Sequence, residues 1–185
     1  MTIDEIFSKL SSHMIQGMMT HEQLMNSYEF LGLPGYAACH EYHYLSETKG
    51  YIRLTQYKIK HFGTLIQNER VTDPEIIPAT WIQGVREAVD PATRKKALSA
   101  AIDTWIDWEE ETKALYNQCY LELMNHSDMA AADFILSYIN DVEKEIVFAK
   151  EERLKKTAMD FDIVSILEEQ DSWEKKFRKK IKNSK

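Results

Sequence analysis

Cysteine, proline and glycine are scarce in this chain, at two, four and six among 185 residues. Cys39 and Cys119 form no Cys-x-x-Cys pair, which excludes a disulfide framework and reads as two small, reduced core residues. So few helix breakers exclude a succession of short strands and turns and leave long stretches of helical period. No apolar run approaches the ~20 residues needed to span a bilayer. The start, Met1-Thr2-Ile3-Asp4-Glu5, has neither the basic nor the apolar region of a secretory signal, so a cytoplasmic protein with no membrane partner is expected. There is no phosphate loop, nucleophile elbow or dinucleotide fingerprint. His21-Glu22 does not begin a His-Glu-x-x-His zinc signature, because Met25 stands at the second His position. No catalytic residue is therefore assigned.

What is present is charge, unevenly placed. The formal net charge is −7, yet residues 175–185 carry seven positive charges and no negative one, which leaves the rest of the chain at −14. A body of that sign repels nucleic acid and favours a basic protein surface, including one that itself binds nucleic acid. Glu29, Asp107, Glu110, Glu111, Asp141 and Glu143 are the outward acids that such a partner would meet.

The periodicity predicts an all-α fold of four long helices and a terminal one. The first opens on a capping box, Thr2 with Glu5, keeps the stripe Phe7, Leu10, Met14, Gly17, His21, Leu24, Tyr28 and stops at Gly32. The second is expected from Tyr36 to about Gln67. The connection from Asn68 to Asp90, with Pro74, Pro78 and Trp81, is long for a hairpin and predicts a crossover along the bundle, with a short helical piece, that makes helices 2 and 3 parallel. The third starts with Asp90 as N-cap and Pro91 in the first turn, and its stripe is Leu98, Ile102, Trp105, Glu109, Thr112, Tyr116, Cys119, Leu123. The fourth follows Asn125 to Asp128 with the stripe Ala131, Ile135, Tyr138, Val142, Glu145, Ala149. Residues 1–158 then make a four-helix bundle, and 159–185 an amphipathic helix with a basic end that packs on the bundle or binds a partner.

The stripe of the second helix is unusual: Tyr36, His40, His43, Glu47, Gly50, Leu54, Tyr57, His61. Imidazole and carboxylate groups on an inward face need partners, since burying them alone costs several kcal/mol. His40 and His61 are read as drifting toward the surface. In an antiparallel hairpin, residues equally far from the turn are level. Counting from about residue 33 puts His21 beside His43 and Glu47, and counting from about residue 127 puts Glu109 beside Glu145. With the hairpins side by side, His21, His43, Glu47, Glu109 and Glu145 converge as nitrogen and oxygen donors, a mixture that suits iron, manganese or zinc. The alternative is that these groups, with the Tyr hydroxyls, form a purely structural hydrogen-bond network.

Long helix pair, crossover, second long pair and mid-bundle acids together resemble the ferritin-like superfamily over roughly residues 3–155. Aligned through Leu33-Pro34-Gly35-Tyr36-Ala37 and Tyr51-Ile52-Arg53-Leu54, Glu47 falls on the family's helix 2 acid, whereas Gly50 stands at the His of its Glu-x-x-His. Helix 1 offers Met14 at the position of the acid and His21 further on. Helix 3 keeps Glu109, and helix 4 offers Val142 and Glu145. About half the ligand set survives, which the resemblance itself sets against oxygen-activating chemistry.

A second likeness lies in His21-Glu22-Gln23-Leu24, Phe30-Leu31-Gly32-Leu33, His40-Glu41-Tyr42-His43-Tyr44, Ile76-Ile77-Pro78 and Trp105-Ile106-Asp107-Trp108-Glu109-Glu110-Glu111-Thr112. These runs are similar to small proteins of phages and mobile elements in gut Firmicutes, a group that includes inhibitors of type II CRISPR nucleases. That resemblance implies a non-enzymatic scaffold, with no required cofactor, that blocks a basic nucleic-acid-binding surface or a domain movement of a Cas9-type nuclease. The sequence expectation leans to this reading, with a metal-binding ferritin-like protein as the alternative and a homo-oligomer as a further assembly of either.

Overall fold

The computed structural model describes residues 1–72, 74 and 89–184. Among these residues there are five helices: α1 (Ile3–Leu31), α2 (Pro34–Phe62), α3 (Pro91–Asn125), α4 (Met129–Ala158) and α5 (Ile163–Ser184). The protein is an all-α bundle, and among the described residues there is no strand and no helix long and apolar enough to cross a membrane. The helix starts follow local chemistry. The Thr2 hydroxyl accepts from the Glu5 amide at 3.2 Å while the Glu5 carboxylate accepts from the Thr2 amide at 2.7 Å, closing the capping box. Asp90 and Asp128 cap α3 and α4 through Thr93 and Ala131 amides, each at 3.0 Å.

Cross-helix pairs fix the directions. The α1 residues Phe7 and His21 meet Tyr57 and His40 of α2, so the first hairpin is antiparallel. Asp103, Glu110 and Lys113 of α3 pair with Arg153, Lys150 and Glu143 of α4, so the second is antiparallel too. The N-terminal amine, His13 and His21 of α1 meet Glu122, Thr112 and Glu109 of α3 in descending order. Helices α2 and α3 therefore run parallel, as a crossover requires.

The start of that crossover is visible. The second helix ends at Phe62 rather than near Gln67, because Gly63 adopts the left-handed conformation (φ 68°) and its amide closes on the Ile59 carbonyl. The following residues ascend along α1: Ser11 donates to Asn68, the Glu69 amide donates to Ser12, and the Gln16 amide donates to the Thr72 carbonyl. The helical piece expected around Pro78 and Trp81 lies outside the described residues.

Two apolar clusters fill the interior. One, near the α1–α2 turn, gathers Leu24, Tyr28, Leu33, Tyr36, Leu98, Ile102 and Trp105 with Ile166 and Phe177 of α5. The other, at the opposite end, gathers Phe7, Leu10, Met14, Leu54, Cys119, Leu123 and Ile135. Cys39 and Cys119 are buried and free.

The terminal helix folds back onto the body along α2, where Arg178 pairs with Glu41. Its anchor is Gln170. Leu33, at the N-cap of α2, has no side chain to accept from the first-turn amides. The Gln170 side-chain oxygen does so in its place, accepting from Gly35 at 2.9 Å and Tyr36 at 3.2 Å. Its own amide donates to the Ile166 carbonyl at 3.1 Å. Lys156, fully buried, sits between Glu152 and Glu169 and so ties α4 to α5. Replacing Gln170 by Leu strands two buried donors, each worth about 1–3 kcal/mol. The expected outcome is a lower urea midpoint and faster proteolytic release of α5, read by denaturation and limited digestion.

Candidate functional site

Between the two apolar clusters lies a buried polar band at mid-height. His21 on α1, His40 and His43 on α2, and Glu109 and Thr112 on α3 are each no more than 5% exposed. Glu47 on α2 and Glu145 on α4 are half-buried and line a cavity of roughly 300 Å³ with His43, Gly50, Arg53, Glu109, Tyr116 and Tyr138. All five residues that the spacing singled out are in this band. His21 Nε2 stands 3.7 Å from a Glu109 oxygen, and His43 Nε2 stands 3.4 Å from a Glu145 oxygen. The His21 and His43 rings lie 5.2 Å apart.

His40 is a correction. The helical drift expected to bring it to the surface does not occur; the side chain is fully buried, with its Nδ1 3.1 Å from Nδ1 of His21 and its ring against Tyr28 and Trp105. The 3.6-residue period of a straight helix places residues 36, 40 and 43 on one face, and aromatic neighbours on α1 and α3 close over it. His61, by contrast, is exposed. Sequence reasoning also missed Trp105 as a polar group: its indole N–H donates to Glu109 at 3.3 Å. The signal was the i, i+4 spacing of Trp105 and Glu109 on one helix face.

Glycines shape the band. A Cβ on Gly17 would stand 3.1 Å from the Glu47 carboxyl carbon and 3.1 Å from the Trp108 ring, so the bare backbone of α1 is what admits the Glu47 head group. A Cβ on Gly50 would meet the Tyr138 ring at 3.4 Å and the Met14 methyl at 3.6 Å. At the position where the ferritin-like pattern has a His on helix 2, a Cβ would thus be in ordinary contact with Tyr138 and Met14.

Burial sets the protonation. It holds His21 and His40 well below the usual imidazole range, with neighbouring imidazoles adding to the effect. His43 is lowered by burial, partly offset by Glu145. Burial pushes the Glu47 carboxyl up to about 8, reinforced by Glu145. Glu109 is raised well above the carboxylate range by burial and by Glu145 and Glu47, against the opposing Trp105 hydrogen bond. Burial thus favours the neutral imidazoles of His21, His40 and His43 and the protonated carboxyls of Glu47 and Glu109. Among the described residues, the buried polar atoms Tyr28 Oη, His40 Nε2, His43 Nε2 and Trp108 Nε1 have no hydrogen-bond partner. For His43 this holds although Glu145 is close, because the two are misaligned for a hydrogen bond.

The donors fit a metal ion in chemistry, with neutral imidazole nitrogens facing carboxyl oxygens across gaps wider than a hydrogen bond and one of those nitrogens left without a partner. They are arranged as pairs. Among the described residues no three His, Cys, Asp or Glu side chains already close around a common point.

No family model and no curated protein sequence matches the chain. Solved structures do. The chain is similar to a humanized archaeal ferritin, with a TM-score of 0.75 at 14% identity over 92% of this chain and 94% of that one. It is similar to an Archaeoglobus fulgidus ferritin engineered to a closed form, with a TM-score of 0.74 at 14% identity over 92% and 93%. The open-pore ferritin of the same hyperthermophilic archaeon gives 0.71 at 13% identity over 92% and 93%. At such identities the likeness establishes the ferritin-like fold and leaves function to the site.

The raised Glu47 carboxyl has a signed consequence for the metal-free protein. Its folded value near 8 lies above the usual 4.5, so the stability that its protonated form contributes is complete below pH 4.5 and is lost as pH rises toward 8. Glu47→Gln, which keeps the shape without the ionisation, is expected to match wild type near pH 4.5. It should exceed wild type by on the order of 2 kcal/mol at pH 8.5, after allowance for screening at the cavity mouth. Urea unfolding at the two pH values measures the difference.

Proposed function

We propose that this chain is a ferritin-like metal protein whose mid-bundle residues His21, His43, Glu47, Glu109 and Glu145 hold a divalent transition ion, iron, manganese or zinc. The observation that carries the proposal is the facing of two buried imidazoles, His21 and His43, each by a carboxyl, at 3.7 and 3.4 Å, with His43 Nε2 otherwise unpartnered. The nitrogen donors differ from the ferritin-like pattern. The His expected at position 50 is displaced to His43, one turn before Glu47, and His21 stands on α1. Such a site is richer in nitrogen than one built from acids alone, which moves its preference toward zinc or iron(II) and away from magnesium and calcium. The bound ion would supply Lewis-acid or redox chemistry.

The chain's own residues prepare the site. Burial keeps His21, His40 and His43 neutral, and so with lone pairs available; Glu47 and Glu109 hold protons that a cation displaces. Binding should therefore strengthen as pH rises from about 6 toward 8. Gly50 and Tyr138 line the cavity that connects the band to solvent.

Untagged protein from metal-supplemented culture is expected to carry stoichiometric iron, manganese or zinc by elemental analysis. His43→Ala and Glu109→Gln should lose it. A free ion at a hundred times its Kd stabilises the fold by about 2.7 kcal/mol, a several-degree rise in Tm that the variants should not show. Folded wild type that stays metal-free after direct addition of each ion would overturn the reading.

A second reading rests on the acidic surface. Glu29, Asp107 and Glu111 are exposed, while Glu110, Asp141 and Glu143 are exposed but paired with Lys150, Lys144 and Lys113. We propose, on the charge and on the resemblance to phage proteins, that this surface binds a basic protein such as a Cas9-type nuclease. Its signature is inhibition of DNA cleavage that weakens as salt rises and falls in a Glu29→Lys/Asp107→Lys/Glu111→Lys variant. Undiminished cleavage at excess protein would remove it.

A further inference from the structure

We infer that His40, which touches no carboxyl of the band, is the positioning residue of the metal centre: its Nδ1 accepts the Nδ1–H of His21 and so turns the His21 Nε2 lone pair toward Glu109. The inference rests on the metal-site reading above and goes beyond it by naming what sets the tautomer of a ligand.

The geometry is specific. His21 and His40 approach through the same atom, Nδ1 to Nδ1, at 3.1 Å, with both rings buried. A hydrogen bond between two Nδ1 atoms needs one N–H and one lone pair, and an imidazole that ligates a metal is neutral, with one of each. One proton occupies the shared contact, and its owner decides the chemistry at the far side of His21. If His40 donates, the only proton of His21 sits on Nε2 and points toward Glu109, closing that nitrogen to any cation. If His40 accepts, His21 Nε2 is a lone pair 3.7 Å from the Glu109 oxygen. Among the described residues, His40 is the hydrogen-bond partner of His21 Nδ1, and the other neighbouring ring, His43, is stacked at 5.2 Å. A ligating imidazole ordinarily gives its second N–H to a carboxylate or carbonyl. Here another imidazole fills that place.

The surroundings hold His40 to the task. Tyr28 stacks on it at 5.2 Å, Trp105 meets it edge-on at 4.9 Å, and its Nε2 has no hydrogen-bond partner. The ring thus has one polar contact, the one to His21. Trp105 touches His40 with its ring and Glu109 with its indole N–H, and so spans the two neighbours of His21.

The test uses zinc alone as the probe, on wild type, His40→Leu and His40→Gln. Leucine fills similar volume without an acceptor, whereas the glutamine side-chain oxygen can accept from His21. Zinc affinity is expected to fall 10- to 100-fold in His40→Leu, the range for loss of an outer-shell partner. In His40→Gln it should return to within about threefold of wild type. Nitrogen-15 shifts of the zinc-loaded wild type should show His21 bound through Nε2 and protonated at Nδ1, a signature that a packing role for His40 would not produce. Zinc bound through Nδ1 of His21, or equal affinity in both variants, would overturn the inference while leaving the metal centre standing. Wild type that binds no zinc, iron or manganese would instead remove the metal reading itself. Should His40→Leu fail to fold by circular dichroism, the wild-type nitrogen-15 shifts alone decide.

Discussion

The cost of taking ionisable groups out of water governs this structure. Three imidazoles and two carboxyls are inserted between two apolar clusters that would pack more simply if they met. Burial responds by neutralising them, lowering the imidazoles and raising the carboxyls, until the band is a set of uncharged donors and acceptors. That state is tolerable and incompletely satisfied, as the unpartnered nitrogens of His40 and His43 show. Native interiors seldom leave such atoms without a use. A divalent cation would exchange the carboxyl protons for a charge that every donor in the band can share.

The rest of the bundle is arranged around that strip. Two antiparallel hairpins bring α1 against α3, and all four helices contribute to the band at the same height. The parallel course of α2 and α3 follows from the chain's return along α1 after Gly63, where hydroxyls and amides of α1 hold the ascending segment. At the other end α5 completes a helix start that has no cap of its own. Gln170 thereby fixes the first turn of α2, and with it the register of His40, His43 and Glu47 further along the same rod.

Much of this was legible in the chain. Inward stripes of α1 and α3 are buried residue for residue, because heptad-like spacing on a long helix has one self-consistent solution. Equal distance from the turns correctly put His21 level with His43 and Glu109 level with Glu145. What escaped was of two kinds. The end of α2 was overrun because Gly63 stops it through a backbone conformation, and apolar periodicity continues past it in the sequence. Spacing puts His40 on the inward stripe but leaves open whether helical drift carries it outward, and it shows nothing of the Gln170 cap, since both depend on which distant segment closes over a face. That the five residues share one band follows from periodicity; their pairing and cavity come only from three-dimensional enclosure.

Gly17 carries a consequence for how such a chain can change over time. It has no functional group, makes no hydrogen bond through a side chain and sits on a different helix from the carboxyl it accommodates. Even so, the lack of one methyl group there is the room in which the Glu47 head group lies. Divergent descendants of this bundle could exchange acid for amide or one imidazole for another and retain a polar chamber. A descendant with alanine at 17 would have to move the Glu47 head group or the Trp108 ring, so the history of the chamber is to be read at a position with no chemistry of its own.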